Sequence, residues 1–115
     1  MRLILTTCSR ARAESLLLEL LEERLVGCGN LVDGVVSHYW WNGRIERDDE
    51  VLLLMETAAE CAERATARLR ELHPYEVPKI VVLAPESAGA SYVEWLRGVT
   101  GRGAARADDP SEGAG

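Results

Sequence analysis

The dipeptide Asn42-Gly43 lies between two long stretches rich in β-branched and aromatic residues. Both residues tolerate the positive φ angles that a two-residue type I′ turn requires, so the pair predicts a β-hairpin. The loop fixes the register and pairs the residues that flank it: Trp41 with Arg44, Trp40 with Ile45, and Tyr39 with Glu46. Gly34 in the first arm and the acidic run 48–50 in the second indicate a bulge or bend within the hairpin.

The segment before the hairpin predicts one strand and one helix. Residues 2–7 are aliphatic and end in two threonines, a pattern typical of a short buried strand. Residues 10–25 place apolar side chains on one helical face, with Ser9 as the N-terminal cap and Gly27 as the stop after the C-terminus.

The segment after the hairpin predicts a second helix, a strand and a third helix. Thr57 and Glu60 have the spacing of a capping box before a helix over 58–72, which the dipeptide His73-Pro74 ends. Residues 79–85 predict a strand, and the continuous apolar run within them favours a strand that is central or covered on both faces. A short helix is expected over 87–98.

The element order β-α-β-β-α-β, followed by a terminal helix, predicts an α+β, ferredoxin-like fold. Its antiparallel four-stranded sheet would carry both main helices on one face. Residues 1–100 are expected to form one domain. Residues 101–115 contain mostly Gly, Ala and charged side chains and predict a disordered tail.

The uncovered face of this sheet is too apolar to remain in water on so small a domain. The expected side chains on it, or their alternates on the other face, are Val35, Tyr39, Trp41, Leu52 and Leu54. Association of several copies through this face and the hairpin edge is therefore expected.

Charge and cysteine content restrict the functional class. The net charge of −6 argues against nucleic acid and against an anionic membrane surface as partners. The apolar start of the chain is too short for a signal peptide, and no stretch is long enough to span a membrane, so a cytoplasmic location is expected. The odd set Cys8, Cys28 and Cys61 contains no CxxC pair and predicts free thiols.

Enzymatic signatures are absent from the sequence. It contains neither a nucleophile elbow nor a glycine-rich phosphate loop, so the chain is not expected to be an enzyme.

Several stretches together resemble the CutA family of divalent cation tolerance proteins. They are TT at 6–7, EERLVGCGN at 22–30, SHYWWNGRIE at 37–46, DEVLLLMET at 49–57, ELHPYEVPKI at 71–80 and YVEWL at 92–96. The resemblance implies a ferredoxin-like subunit in a homotrimer, with the architecture of the PII signalling proteins. It also implies a link to binding and tolerance of copper and other divalent metals, none of which is expected to be required for folding.

This chain departs from the family pattern at two places. Members commonly have Ala-Ala-Cys-Val-Asn before the second strand, where this chain has Gly27-Cys28-Gly29-Asn30. Members typically carry a lysine just before the threonine at position 57, where this chain has Glu56. That charge reversal either removes a lysine-dependent role or adds a carboxylate to a cation site.

The candidate metal ligands are Cys28, Glu50, Glu76 and His73, because soft metals prefer thiolate and imidazole and hard metals prefer carboxylate. Cys28 lies between two glycines that would give a ligand close access to the backbone. Each candidate also has a structural interpretation. Cys28 would be a small buried thiol, and His73 would bond the free carbonyls at the end of its helix.

The aromatic candidates form either a subunit interface or a ligand cleft. They are Tyr39, Trp41, Tyr75, Tyr92 and Trp95. Tyr75 and Glu76 lie between Pro74 and Pro78, which restrict the connector, and are therefore its expected functional residues. Two hypotheses follow, a cytosolic trimer that binds a divalent metal and a PII-like module that holds a small ligand in clefts between subunits.

Overall fold

The computed structural model describes residues 1–101. It contains four strands, three α-helices and one short 3₁₀ helix in the predicted order. The elements are β1 Arg2–Cys8, α1 Arg10–Glu22, β2 Cys28–Trp41, β3 Arg44–Thr57, a 3₁₀ helix Ala59–Cys61, α2 Ala62–Leu72, β4 Ile80–Leu83 and α3 Ala90–Val99. The sheet order is β2-β3-β1-β4, and every neighbouring pair is antiparallel. The predicted α+β, ferredoxin-like arrangement is therefore confirmed.

The hairpin has the predicted turn and register. Asn42 and Gly43 have φ angles of 50° and 80°, and the three expected residue pairs flank them. A bulge lies between Val32 and Val35 in β2, where Gly34 has a φ of 75°. Residues 48–50, the acidic run of β3, form regular pairs with β2, so the irregularity belongs to the first arm alone.

The hydrophobic core lies between the helices and one face of the sheet. Alternate side chains of β1 and β3 are buried there, since successive residues of a strand point to opposite faces. Helix α1 contributes Ala13, Leu16, Leu17 and Leu20, and α2 contributes Ala65 and Leu69.

The end of α1 differs from the prediction. The helix ends at Glu22, and Arg24 adopts a φ of 61° in the position that glycine usually occupies. The Arg24 N–H donates to the Leu21 carbonyl and the Leu25 N–H donates to the Leu20 carbonyl, each at 3.0 Å, which is a Schellman motif.

The predicted capping box is wrong. Thr57 is the last residue of β3, and its buried hydroxyl donates to the Leu25 carbonyl at 2.7 Å. The chain then enters α2 through the 3₁₀ helix, whose cap residue Ala58 has no side-chain oxygen. Ser9 does occupy the N-cap of α1, where its carbonyl accepts from Arg12 and Ala13 at 3.1 Å, but its side chain makes no capping bond.

The last strand is present, but its predicted extent and its predicted central or doubly covered position are wrong. Strand β4 contains only four residues and lies at the edge of the sheet, with Val81, Val82 and Leu83 between 39% and 45% exposed. These three side chains thus face solvent in the single chain, whereas Ile80 packs against the core. The predicted helix over 87–98 is present as α3.

The face of the sheet opposite α1 and α2 is called the open face below. The register places on it a set of mostly apolar side chains from all four strands: Leu5, Val32, Val35, Tyr39, Trp41, Leu52, Leu54, Val81 and Leu83. The apolar open face expected from the sequence is therefore present. None of the helices within residues 1–101 is long and apolar enough to cross a membrane.

Candidate functional site

A groove of ≈ 880 Å³ lies over the open face, beneath the connector that joins α2 to β4. Its floor comes from β1 and β3, one wall from the outer half of β2, and the other wall from connector residues 75–79. The groove contains three of the predicted aromatic residues, Tyr39, Trp41 and Tyr75, and two of the predicted carboxylates, Glu50 and Glu76.

His73 fixes the start of this connector. It is 7% exposed, and its Nε2 lies 2.9 Å from the Thr7 carbonyl oxygen and 3.1 Å from the Thr6 hydroxyl. Its Nδ1 accepts a hydrogen bond from the Tyr75 N–H at 3.2 Å. The ring is therefore a neutral tautomer that donates from Nε2 to the carbonyl. Burial lowers the pKa of His73, which is consistent with a neutral ring.

A buried carboxylate lies at the floor of the groove. Glu50 is 7% exposed and accepts a hydrogen bond of 2.6 Å from the Tyr75 hydroxyl. That distance is typical of a charge-assisted O–H···O⁻ bond. Burial, together with the hydrogen bond to Glu50, raises the pKa of Tyr75 well above its usual range, so the phenol stays protonated and remains the donor.

The groove lining has an excess of negative charge. Carboxylates come from Asp48, Glu50 and Glu76, whereas the lining includes one lysine, Lys79, and one histidine, His38. The Tyr39 hydroxyl donates to Asp48, and this hydrogen bond raises the pKa of Tyr39 to about 12. An oxygen-rich acidic groove favours a cation over an anion.

A second cluster lies at the opposite end of the hairpin. Cys28 is paired directly with Glu56, and the Tyr92 hydroxyl of α3 donates to the Glu56 carboxylate. Burial raises the pKa of the Cys28 thiol, and burial together with the hydrogen bond to Glu56 raises that of Tyr92. Trp95 stacks on Tyr92 with a centroid separation of 5.7 Å. Its buried Nε1 has no hydrogen-bond partner among residues 1–101.

The structure thus separates the predicted site residues into two groups. Glu50 and Glu76 line the groove, and His73 is buried at the start of the connector without lining the groove. Cys28 lies beside Glu56. Glu56 follows Glu50 by six positions in β3, roughly 20 Å of extended strand. Within residues 1–101, no group of three His, Cys, Asp or Glu side chains is close enough to hold a metal ion. One chain alone therefore does not assemble the predicted ligand set.

The glycines beside Cys28 have a packing role rather than the access role expected from the sequence. A Cβ on Gly29 would lie 2.3 Å from Leu17 Cδ1 in α1, and a Cβ on Gly27 would lie 2.8 Å from Leu96 Cδ2 in α3. Side chains of the protein itself already occupy the space beside these two glycines. These glycines let α1 and α3 approach the start of β2.

Sequence reasoning missed the pairs Tyr39–Asp48 and Tyr92–Glu56. The first could have been found from the hairpin register, because Asp48 lies two residues beyond Glu46, the direct partner of Tyr39, and diagonal neighbours on a sheet are within reach of aromatic side chains. The second depends on how α3 returns to the sheet, for which the sequence carries no local signal.

The split βαββαβ topology defines a ferredoxin-like domain, and its acidic groove lies on the open face of the sheet. The model of the CutA1 divalent ion tolerance protein family matches residues 2–99. The chain belongs to this family. It is 39% identical over 98 residues to the divalent-cation tolerance protein CutA of Thermus thermophilus, covering 85% of this chain and 95% of that protein.

Solved structures agree with this assignment. CutA1 from Pyrococcus horikoshii is similar with a TM-score of 0.84 and 35% identity, over 89% of this chain and 100% of that one. The PII-like protein CutA from Nostoc sp. PCC 7120, in its apo form, has a TM-score of 0.84 and 34% identity, over 88% and 98% of the two chains.

Proposed function

We propose that this chain is a cytosolic homotrimer that binds a divalent cation in the acidic groove, with copper as the first ion to test. The observation that carries the proposal is the Glu50 carboxylate. It is buried at the groove floor, and within residues 1–101 it receives one hydrogen bond, from Tyr75. A buried carboxylate needs more than one donor or a cation to offset its lost hydration.

The donor set of the groove fits a divalent ion that accepts oxygen ligands. Glu50 and Asp48 lie on neighbouring open-face positions of β3, and Glu76 lies on the connector above them. His73 has both ring nitrogens in hydrogen bonds, so we assign it to holding the connector rather than to the ion. The role proposed here is binding, in keeping with the tolerance function for which the family is named.

Assembly with other copies would cover the apolar open face and bring further ligands to Glu50. Apolar side chains remain exposed on the open face, among them Trp41 at 40% and Leu83 at 45%, and both edge strands have unpaired backbone groups. Burying such a surface against other copies removes it from water and satisfies the edges. Ligands from a neighbouring copy would then join Glu50.

Titration of the purified protein with Cu(II), Zn(II) and Mg(II) tests the proposal, with native mass spectrometry to count chains and ions. A trimer is expected in which Glu50→Gln weakens binding about tenfold or more, since it removes the charge of a direct ligand. The control Glu63→Gln removes the same charge from an exposed position on α2 and is expected to leave binding unchanged. A monomer, or equal binding by both variants, would contradict the proposal.

The groove volume and its aromatic walls support a second candidate, a PII-like module that holds a small ligand. A volume of ≈ 880 Å³ lies within the range of small-molecule sites. The similarity to a protein named PII-like favours the same hypothesis. A thermal-shift screen of nucleotides and amines would detect such a ligand, because binding to the folded state raises the unfolding temperature. At least one compound is expected to raise the unfolding temperature of the unmodified protein but not that of Tyr75→Ala. If no compound raises the unfolding temperature, this candidate is rejected.

A further inference from the structure

The connector between α2 and β4 is tied to the rest of the protein at one residue. Within residues 1–101, the hydrogen bonds of segment 74–79 are both made by Tyr75. Its N–H donates to His73 Nδ1 at 3.2 Å, and its hydroxyl donates to the Glu50 carboxylate at 2.6 Å. The two prolines of the segment have no N–H to donate. The position of this segment, which is one wall of the groove, therefore depends on the two bonds of Tyr75.

The His73 ring can make its hydrogen bonds only while it is neutral. Its Nε2–H donates to the Thr7 carbonyl at 2.9 Å, and its Nδ1 accepts from the Tyr75 N–H. A proton added to Nδ1 would turn this acceptor into a donor that faces another donor. The ring is 7% exposed, so its positive charge would also stay without hydration unless the connector moved. Protonation of His73 therefore breaks one of the two bonds that hold the connector.

The groups around His73 do not compensate for a positive charge on its ring. Burial lowers the pKa of His73 by more than the Thr7 carbonyl and the negative charge of Glu50 on β3 raise it. Cys8 at the end of β1 and Tyr75 on the connector have raised pKa values, chiefly because of burial, so both are neutral when His73 titrates. The other charged side chains on the adjoining segments are exposed: Arg70, Glu71, Glu76 and Lys79.

We infer that His73 is a pH-sensitive latch, which holds the connector over the groove while its ring is neutral and releases it when the ring is protonated. Release frees the Tyr75 N–H and moves one wall of the groove away from the open face. An exposed imidazole binds its proton near pH 6.5, and the buried ring binds it only at lower pH. The connector is therefore fully held above pH 6.5 and is released progressively below it. The latch belongs to the protein without ligand, so it does not depend on the function proposed for the groove.

NMR spectroscopy of the full-length, nitrogen-labelled protein tests the latch in a titration from about pH 7.5 to about pH 4.5. The ring nitrogens of His73 report its tautomer and its protonation, and the Tyr75 amide reports its hydrogen bond. A neutral ring with its proton on Nε2 is expected at the upper end. The Tyr75 amide signal should then shift with the same midpoint as His73, below pH 6.5. Amides of β1 and β3 should keep their protection from hydrogen exchange over that range.

Substitution of each histidine separates the latch from other titrations. His73→Asn offers an amide oxygen as acceptor for the Tyr75 N–H but cannot be protonated in this range, so the pH-dependent shift of Tyr75 should disappear. The control His38→Asn removes the other histidine of the chain, which is exposed on β2, and should leave the shift unchanged. Glu50→Gln should keep the shift and lower its midpoint, because the charge of Glu50 favours the protonated ring.

Three outcomes would overturn the inference. The first is a Tyr75 amide that still shifts in His73→Asn, or that shifts in the unmodified protein with a midpoint different from that of His73. The second is loss of the shift in Glu50→Gln, which would assign the release of the connector to protonation of Glu50. The third is loss of protection in β1 and β3 at the same midpoint, because the whole domain would then unfold rather than the connector alone.

Discussion

Tyr75→Phe tests the hydrogen bond between the Tyr75 hydroxyl and the Glu50 carboxylate at the groove floor. It removes one hydroxyl and leaves the ring, which packs edge-on against His73 with centroids 4.8 Å apart. The lost atom is the donor to the buried carboxylate of Glu50, at 2.6 Å. Any change in stability therefore reports on that one hydrogen bond.

The loss of stability expected for Tyr75→Phe follows from the burial of the two partners of the hydrogen bond. Hydrogen bonds to charged groups contribute about 1.5–3 kcal/mol to stability. Because Glu50 is almost fully buried whereas Tyr75 is only half-buried, water can partly replace the lost hydroxyl, so the expected loss lies near the lower end of that range, about 1.5 kcal/mol. Glu50→Gln keeps the size of the side chain and removes its charge.

Urea denaturation of both single variants and the double variant gives the coupling between the two residues. All unfolding curves are recorded at one protomer concentration, since the stability of an oligomer depends on it. A coupling free energy of about 1–2 kcal/mol is expected for two groups in direct contact. A value below about 0.3 kcal/mol, the usual additivity error, would refute the view that Tyr75 holds the Glu50 carboxylate.

Further predictions concern packing and pH. Gly29→Ala forces a Cβ to 2.3 Å from the buried Leu17 and should lower the free energy of unfolding by about 1–3 kcal/mol in urea denaturation. Gly98→Ala, with open space around its Cβ in α3, should instead raise it by about 0.5–1 kcal/mol. Burial lowers the pKa of His73 in the folded protein. As pH falls below the ordinary value of 6.5, the imidazole is therefore protonated in the unfolded chain before it is protonated in the folded one. The free energy of unfolding should fall over that range. His73→Gln should flatten that pH dependence. If the free energy of unfolding depends on pH in the same way with histidine or glutamine at position 73, the buried neutral ring is contradicted.

The hairpin was predictable from the sequence because its determinants are local. Asn42 and Gly43 fix the turn, the turn fixes the register, and Gly34 marks the bulge. The error at the predicted capping box came from a contact between residues distant in sequence, which overrides the local pattern. Thr57 had the spacing of a cap, but its hydroxyl bonds the Leu25 carbonyl across the core.

The residue types of the candidate site were predictable from the sequence, but which of these residues lie close together was not. Strand alternation and the bulge decide which side chains share a face, and they place Glu50 in the groove while Cys28 pairs with Glu56 about 20 Å away. The apolar run of β4 suggested a central strand, yet β4 is an edge in the single chain. An apolar edge strand and an interior strand have the same composition, so sequence alone does not distinguish them. The division into a domain over 1–100 and a tail over 101–115 stays a prediction, since residues 102–115 lie outside the described part.

An anomalous difference map from crystals soaked with Cu(II), recorded at the copper absorption edge, tests whether Glu50 binds the cation. A copper peak is expected within coordination distance of the Glu50 carboxylate, at a position shared with a neighbouring copy of the chain. Crystals of Glu50→Gln are expected to lack that peak. A groove without a copper peak, with Glu50 still bonded to Tyr75 alone, would contradict cation binding by Glu50.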